Sequence, residues 1–344
     1  MVTQRVTWKP VLTGDLAAEA VRVAREVSAR LRSPEQVAEA AAAAQAQTKF
    51  QPFIRWVPYT VAQGYAGLAV LWGYLDSCFP HEGWDITGRE HLGLAIRGAE
   101  AVSEIPVGLF SGSSGLAFSA SQLSRQGTRY QRLLATLDQE IVPNAFALAS
   151  NLRGERNGVG VGEFDVISGL SGVGAYLLCR SGQPGITDAL QVLGDALVNM
   201  LDEKDGIPLW HTPAAFLWDD ELREAYPYGN LNCGLAHGIP GPLAVLSLGL
   251  RAGLSIPGLP QAIARIADWL SENRYDDSWG VNWPTAVAIV KTETSFGATV
   301  QAGGALRPFP RGPVVVRGAT GVPESRVPSE RKLSAATWRD SPTC

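Results

Sequence analysis

The sequence has few cysteines, few histidines and no long uninterrupted apolar run. Its four cysteines, in a chain of 344 residues, lie far apart at Cys78, Cys179, Cys233 and Cys344. The N-terminus lacks a basic start followed by an apolar core, so it does not resemble a secretory signal, and a disulfide framework is not expected. No run approaches the roughly 18 apolar residues that a membrane span needs. These absences predict free thiols, no membrane span and a cytoplasmic location.

Charge of one sign is also scarce. The formal net charge is -4, and like charges do not form blocks. Nucleic-acid binders usually carry a basic stripe, so nucleic acid is not an expected partner. The apolar content of 46% is enough for a sizeable core in one large domain or two ordinary ones.

Glycine, by contrast, is abundant and partly periodic. A pair spaced G-x-x-G opens four apolar runs, with the first glycines separated by 48, 57 and 69 residues. The copies are QGYAGLA (63–69), SGSSGLA (111–117), SGLSGVG (168–174) and HGIPGPL (237–243). Repetition at a growing interval indicates a repeat architecture with variable loops. Only the fourth copy begins with a histidine, which makes His237 the first candidate functional residue.

Two kinds of helix alternate along the repeat. The runs that follow the glycines, such as 68–75 and 242–250, are apolar on nearly every side, which is typical of buried helices. Between the copies lie segments with helical periodicity and one polar face, at 88–103, 129–142, 186–201 and 259–273. An inner and an outer helix per copy predict an all-α fold, an α/α toroid.

The glycines have two possible uses at the starts of the inner helices. They allow a close approach of two backbones or a positive φ, and serving helix packing alone is the simpler interpretation. Helix N-termini gathered at one mouth of the ring would also carry unpaired N–H groups that favour an anion.

Three segments are predicted along the chain. Residues 1–48 form N-terminal helices, with Ser33 and Pro34 placed to cap and start the second one. Residues 49–290 carry the toroid repeats. Residues 291–344 are rich in Gly, Pro and Arg without helical periodicity, so an irregular or disordered tail is expected.

Three segments closely resemble the lanthionine synthetase C-like family, the cyclases of lanthipeptide biosynthesis. They read GLFSGSSGLAFS (108–119), DVISGLSGVGAYLL (165–178) and NLNCGLAHGIPGPLAVLSL (230–248), and the resemblance covers about residues 50–290. It implies an α-toroid with a zinc ion in its central cavity. It also implies a reaction in which a cysteine of a dehydrated precursor peptide adds to dehydroalanine or dehydrobutyrine and forms a thioether.

The resemblance assigns roles to two residues. His237 matches the histidine of the family's HG motif, which acts as acid and base, a role that suits a histidine near neutral pH. Asp165 matches the aspartate of a D-x-x-x-G-x-x-G segment, which is thought to interact with that histidine. Two alternatives stay open: His237 as a packed or capping residue, and Asp165 as a helix N-cap.

The metal ligands of the family have no match. They come from two later copies, Trp-Cys-Tyr-Gly-x-Pro-Gly and Cys-His-Gly, and neither motif occurs in this chain. Because a catalytic zinc site needs three protein ligands, we expect that this chain does not bind zinc. Cys233 is interpreted as a buried thiol, and the C-x-x-H pair of Cys78 and His81 lacks a second ligand pair.

The missing motifs suggest a toroid that is incomplete at its C-terminal end, truncated or frameshifted upstream of about residue 310. Inner helices without neighbours would expose apolar surface, so self-association is expected. The predicted function is a lanthipeptide cyclase impaired by the loss of zinc ligands. The alternative is a non-catalytic toroid that binds a leader peptide or a partner dehydratase. A glycosidase-like α/α barrel is disfavoured, because Asp165 is the only acid at the motif copies.

Overall fold

A computed structural model describes residues 11–49, 55–154, 157–204 and 206–290. The chain divides into two compact units between Trp56 and Val57. The first unit contains two helices, α1 (Gly14–Arg30) and α2 (Pro34–Gln47).

The start of α2 is capped as its sequence predicts. The Ser33 hydroxyl accepts a hydrogen bond from the backbone N–H of Gln36 at 3.3 Å, and Pro34 occupies the first helical position. Proline there loses no hydrogen bond, because the first N–H of a helix has no partner within the helix.

The second unit consists of paired helices. The inner helices, each beginning at a G-x-x-G copy, are α3 (Tyr65–Cys78), α5 (Ser113–Gln122), α8 (Leu170–Cys179) and α11 (Pro240–Arg251). The outer helices are α4 (Trp84–Glu100), α6 (Gln131–Leu152), α9 (Ile186–Asn199) and α12 (Leu259–Glu272). Consecutive inner helices pack against one another, and each packs on its own outer helix. The predicted all-α, double-layered architecture is confirmed.

Burial follows the two kinds of sequence pattern. In the inner helix α8, the side chains of Val173, Tyr176 and Leu177 are fully buried. In the outer helix α9, burial is confined to one face, which includes Leu193 and Leu197. The core therefore lies between the two layers and between neighbouring inner helices. Burying such a side chain stabilises the fold by about 1.5–3 kcal/mol.

One outer helix is longer than its sequence pattern indicates. The periodicity predicts a helix over 129–142, whereas α6 continues through Pro143 to Leu152. Proline inside a helix removes one hydrogen bond and is normally unfavourable. Burial of Ala145, Ala149 and Leu152 on the same face as the earlier apolar residues offsets that loss.

Short elements that the sequence did not predict connect the pairs. The helical ones are α7 (Val161–Phe164), a 3₁₀ turn (Ala214–Phe216) and α10 (Asp220–Ala225). The strands are β1 (Glu203–Lys204), β2 (Ile207–Pro208), β3 (Asn230–Asn232), β4 (Tyr275–Asp277), β5 (Gly280–Asn282) and β6 (Ala286–Ala288). They form three antiparallel pairs, β1 with β2, β3 with β6 and β4 with β5.

The repeat glycines allow a close approach of two backbones. A Cβ added at the second glycine of a copy would lie 2.2 Å from a backbone carbonyl oxygen at Gly67, 2.0 Å at Gly115 and 2.1 Å at Gly172. Each oxygen belongs to the loop that precedes the helix. No glycine of the four copies has a positive φ, so packing explains them.

The N–H groups at the starts of the inner helices have partners. In α5 the N–H of Ser113 donates to the Pro106 carbonyl at 2.8 Å, and that of Ser114 donates to Val107 at 3.2 Å. At α3 the N–H of Tyr65 donates to a carbonyl of its own preceding loop. The expectation of unpaired N–H groups that favour an anion is therefore wrong at these positions.

Several predictions fall on residues outside the described ranges. They concern the irregular tail at 291–344, the frameshift and Cys344. Among the described residues, no helix is long and apolar enough to cross a membrane.

Candidate functional site

Asp165 follows the short helix α7, three residues before the third copy. Its side chain is 1% exposed. Its Oδ1 accepts hydrogen bonds from the backbone N–H groups of Ser168 at 2.7 Å and Gly169 at 2.9 Å. These two amides precede the first helical residue of α8 and fix the carboxylate in the turn before the helix.

His237 lies in the turn before α11, and its ring contacts the same carboxylate. Its Nδ1 is 2.6 Å from Oδ2 of Asp165, and 32% of its side chain is exposed. The structure thus brings the two predicted residues together. The capping interpretation of Asp165 is wrong, because the N-cap of α8 is Gly169 and Asp165 is the residue that ends α7. Oδ1 binds the backbone of the turn between the two helices, while Oδ2 binds the ring.

The contact fixes the chemical state of the imidazole. A carboxylate oxygen only accepts hydrogen bonds, so Nδ1 of His237 carries the proton. In the neutral ring, Nε2 then has the free lone pair and can take up or return a proton. The ring is partly exposed, whereas the carboxylate that holds it is buried.

A chain of backbone hydrogen bonds joins the loops before successive inner helices. The N–H of Ala62, just before the first copy, donates to the carbonyl of Phe110, just before the second, at 3.1 Å. The N–H of Phe110 in turn donates to the carbonyl of Ile167, just before the third copy, at 3.0 Å. A backbone hydrogen bond that recurs from copy to copy therefore fixes how each copy is aligned with the next.

The same connection places the two candidate residues together. The N–H of Val166 donates to the carbonyl of Ala236 at 3.1 Å. Val166 follows Asp165 in the chain, and Ala236 precedes His237. The pair thus lies where the third and fourth copies meet, and its geometry depends on their packing.

Cys233 is a buried thiol, as the sequence predicts. Its side chain is buried, and this burial raises the pKa of its thiol to about 12. Across the described ranges, no three His, Cys, Asp or Glu side chains are grouped to hold a metal ion. The zinc ion implied by the family resemblance therefore does not fit the residues described up to 290, and Cys78 with His81 does not supply a site.

Sequence reasoning did not single out His211 or Asn232. His211 is buried, and this burial lowers its pKa despite the hydrogen bond between Nδ1 and the Pro208 carbonyl at 2.8 Å. Asn232 accepts the N–H of Gly234 through its side chain at 2.8 Å. The Asn-x-Gly spacing, a common turn signal, could have indicated the second.

Comparison with known proteins identifies the family of the chain. The model of the lanthionine synthetase C-like protein family matches residues 55–296, more than half of the chain. The chain belongs to this family. Nisin biosynthesis protein NisC from Lactococcus lactis subsp. lactis is 29% identical over 160 residues, which is 46% of this chain and 37% of NisC.

The solved structure of nisin cyclase has the same fold. Its TM-score is 0.63 at 19% sequence identity, and the match covers 80% of this chain and 65% of nisin cyclase. This likeness supports the α/α toroid. In both comparisons the chain spans less than two thirds of the relative's length.

Proposed function

We propose that this chain is a cytoplasmic lanthipeptide cyclase of the lanthionine synthetase C-like family, impaired in its activity. Its substrate is a precursor peptide that a partner dehydratase has dehydrated. The observation that carries the proposal is the contact of 2.6 Å between His237 Nδ1 and the buried Asp165 carboxylate. This contact presents the free Nε2 of a neutral imidazole at a partly exposed site.

The reaction adds a thiol across a carbon–carbon double bond. The peptide cysteine loses its proton, and its sulfur attacks the β-carbon of dehydroalanine or dehydrobutyrine. The electrons of the double bond move to form an enolate, and a proton then reaches the α-carbon. His237 accepts the thiol proton at Nε2 and returns a proton to the enolate, so no oxidant or reductant is required. Asp165 stabilises the imidazolium between the two steps.

The impairment concerns activation of the thiol. A free cysteine has a pKa of about 8.5, so only a few per cent of it is thiolate near neutral pH. Among the described residues, no three potential metal ligands lie together. His237 is then the group that removes the proton, and we expect slow turnover.

A second candidate function is binding without catalysis. Among the described residues, no three His, Cys, Asp or Glu side chains are grouped to hold a metal ion. This favours a toroid that only holds a leader peptide or the dehydratase. This role requires neither His237 nor its protonation, so variants of that residue separate the two candidates.

The test is a cyclisation assay on the full chain. The chain is incubated with a dehydrated precursor peptide, and thioether formation is followed by loss of the free thiol and by fragmentation in mass spectrometry. We expect slow ring formation that His237→Asn abolishes. The metal content of the same sample is measured. Binding of the peptide without any thioether would reject the cyclase and leave the binding role.

A further inference from the structure

We propose that Asn232 is a positioning residue for His237. It lies at the end of β3, at the base of the loop 233–239 that carries the histidine. Its two oxygens hold both sides of this loop. The inference rests on the proposed function only for its kinetic test, because the position of the ring is measurable without any reaction.

The hydrogen bonds of Asn232 close the loop. Its Oδ1 accepts the N–H of Gly234 at 2.8 Å, and its backbone carbonyl accepts the N–H of Ile239 at 3.1 Å. Within the loop, the N–H of Gly238 donates to the Gly234 carbonyl at 2.7 Å. The side chain of Asn232 therefore orients Gly234, which in turn holds the residue that follows His237.

The loop is wrapped tightly around this base. A Cβ added at Gly238 would lie 2.2 Å from the backbone oxygen of Asn232 and 2.6 Å from that of Gly234. Only glycine leaves room for both oxygens. Release of the Gly234 amide would loosen the turn at the position that sets the direction of the His237 ring.

The strand that carries Asn232 is itself fixed on both sides. β3 pairs with β6, with Asn232 opposite Ala286. On its other edge, Asn230 exchanges two backbone hydrogen bonds with Thr212, at 2.8 and 2.9 Å. The N–H of Cys233 donates to the Thr285 carbonyl at 3.0 Å. Because the strand is held on both sides, Asn232 gives the loop 233–239 a fixed point of attachment.

The other half of the pair cannot follow a displaced ring. Asp165 is 1% exposed, and Oδ1 binds two backbone amides. A shift of His237 would thus lengthen the contact with Oδ2 instead of moving the carboxylate. The proton on Nδ1 would lose its acceptor, and the other tautomer of the ring would become populated.

The experiment measures the tautomer of His237. The full chain is labelled with ¹⁵N-histidine, and the ring nitrogens are observed by long-range ¹H–¹⁵N NMR where the ring is neutral. His237→Gln assigns the signal among the four histidines. We expect the Nδ1–H form in the native chain and a mixture with the Nε2–H form in Asn232→Ala. Asn232→Asp keeps an acceptor oxygen, so it should retain the native form.

Asn230→Ala is the matched control. Asn230 lies on the same strand, and its Oδ1 has no hydrogen-bond partner among the described residues. It should leave the tautomer of His237 unchanged. A native tautomer in a folded Asn232→Ala, or an equal change in Asn230→Ala, would overturn the proposal.

Folding and kinetics complete the test. If Asn232→Ala does not fold, Asn232→Leu takes its place, since leucine keeps the side-chain volume and removes the acceptor oxygen. If neither variant folds, the role of Asn232 is structural and the proposal is contradicted. With active chain, kcat should fall by about five- to tenfold, the size of one lost hydrogen bond, with KM unchanged. If the native chain forms no thioether, the proposed function fails, while the NMR result still decides the role of Asn232.

Discussion

At the residue scale, the two oxygens of Asp165 have separate tasks. Oδ1 holds the backbone of Ser168 and Gly169, and Oδ2 holds the ring of His237. A variant that preserves one task and removes the other therefore separates folding from chemistry.

Asp165→Asn is that variant. Its amide oxygen can still accept the two backbone N–H groups, whereas its NH₂ group meets the proton on Nδ1 of His237 and forces the other tautomer. We expect the melting temperature to be nearly unchanged and kcat to fall by about 100-fold or more. Asp165→Ala should also destabilise the chain, by about 1–3 kcal/mol per unsatisfied amide. Equal stability of the two variants would contradict this division.

The burial of Cys233 gives a prediction about reactivity. With a pKa of about 12, its thiolate fraction at pH 8 is about 1 part in 10⁴. Cys78 is exposed. Iodoacetamide at pH 8 should thus modify Cys78 quickly and Cys233 only after unfolding in urea, as peptide mass spectrometry would show. Modification of both at similar rates in the native chain would mean that the loop before His237 opens.

At the scale of single elements, the glycines at the starts of the inner helices set how closely backbones pack. A Cβ at Gly115 would lie 2.0 Å from the Leu109 carbonyl oxygen, a rigid neighbour. Gly115→Ala should destabilise the fold by about 2–4 kcal/mol. On the outer helix α4, the nearest atom to a Cβ at Gly93 is the end of a flexible arginine at 3.5 Å. Gly93→Ala should stabilise by up to about 1 kcal/mol in urea unfolding.

A buried ion pair connects α6 to the C-terminal end of α8. Oδ2 of Asp138 accepts Nε and Nη2 of Arg180 at 3.0 and 2.7 Å, and Oδ1 accepts the hydroxyl of Tyr176. Burial, and next the contact with Asp138, raises the pKa of Tyr176, so the hydroxyl remains a donor. Asp138→Ala leaves the buried Arg180 unpaired and should cost about 3–5 kcal/mol.

A surface pair is the control for this measurement. Arg153 and Asp195 are 38% and 37% exposed, and surface pairs contribute about 0–1 kcal/mol. Asp195→Ala should therefore change the free energy of unfolding by less than about 1 kcal/mol in urea. A comparable loss in both variants would show that burial is not what makes the Asp138 pair important.

The helices could be predicted from the sequence, whereas the short strands that hold the site in place could not. Periodicity and the glycine pairs indicated the inner and outer helices, since both signals are local. β3 and β6 are three residues each and lie far apart in the chain. Their pairing depends on tertiary packing, so the base that holds Asn232 has no local signal. The contact between the side chains of His237 and Asp165 was expected only from the family resemblance. The backbone hydrogen bond that joins the third and fourth copies can form with any residue type, so it leaves no signal in the sequence.

At the scale of the whole molecule, the inner helices differ in what covers them. Val173 and Leu177 of α8 are fully buried between neighbours. In α11, Val245 and Leu246 are buried, but Leu248 is 48% and Leu250 is 42% exposed. The two leucines lie on different sides of the helix, because residues two positions apart do not share a face. Leu248 still leaves apolar surface open on an inner helix, and large exposed apolar patches mark sites of association.

We therefore expect the purified chain to self-associate through α11. Leu248→Lys places a charge on the exposed face and should shift the sedimentation profile towards the monomer. Ile86→Lys is the control. Ile86 is 71% exposed on the outer helix α4, and its substitution introduces the same charge as Leu248→Lys. Ile86→Lys should leave association as it is, which would show that the effect belongs to the inner face. A native chain that sediments as a single monomeric species and melts cooperatively would contradict the prediction.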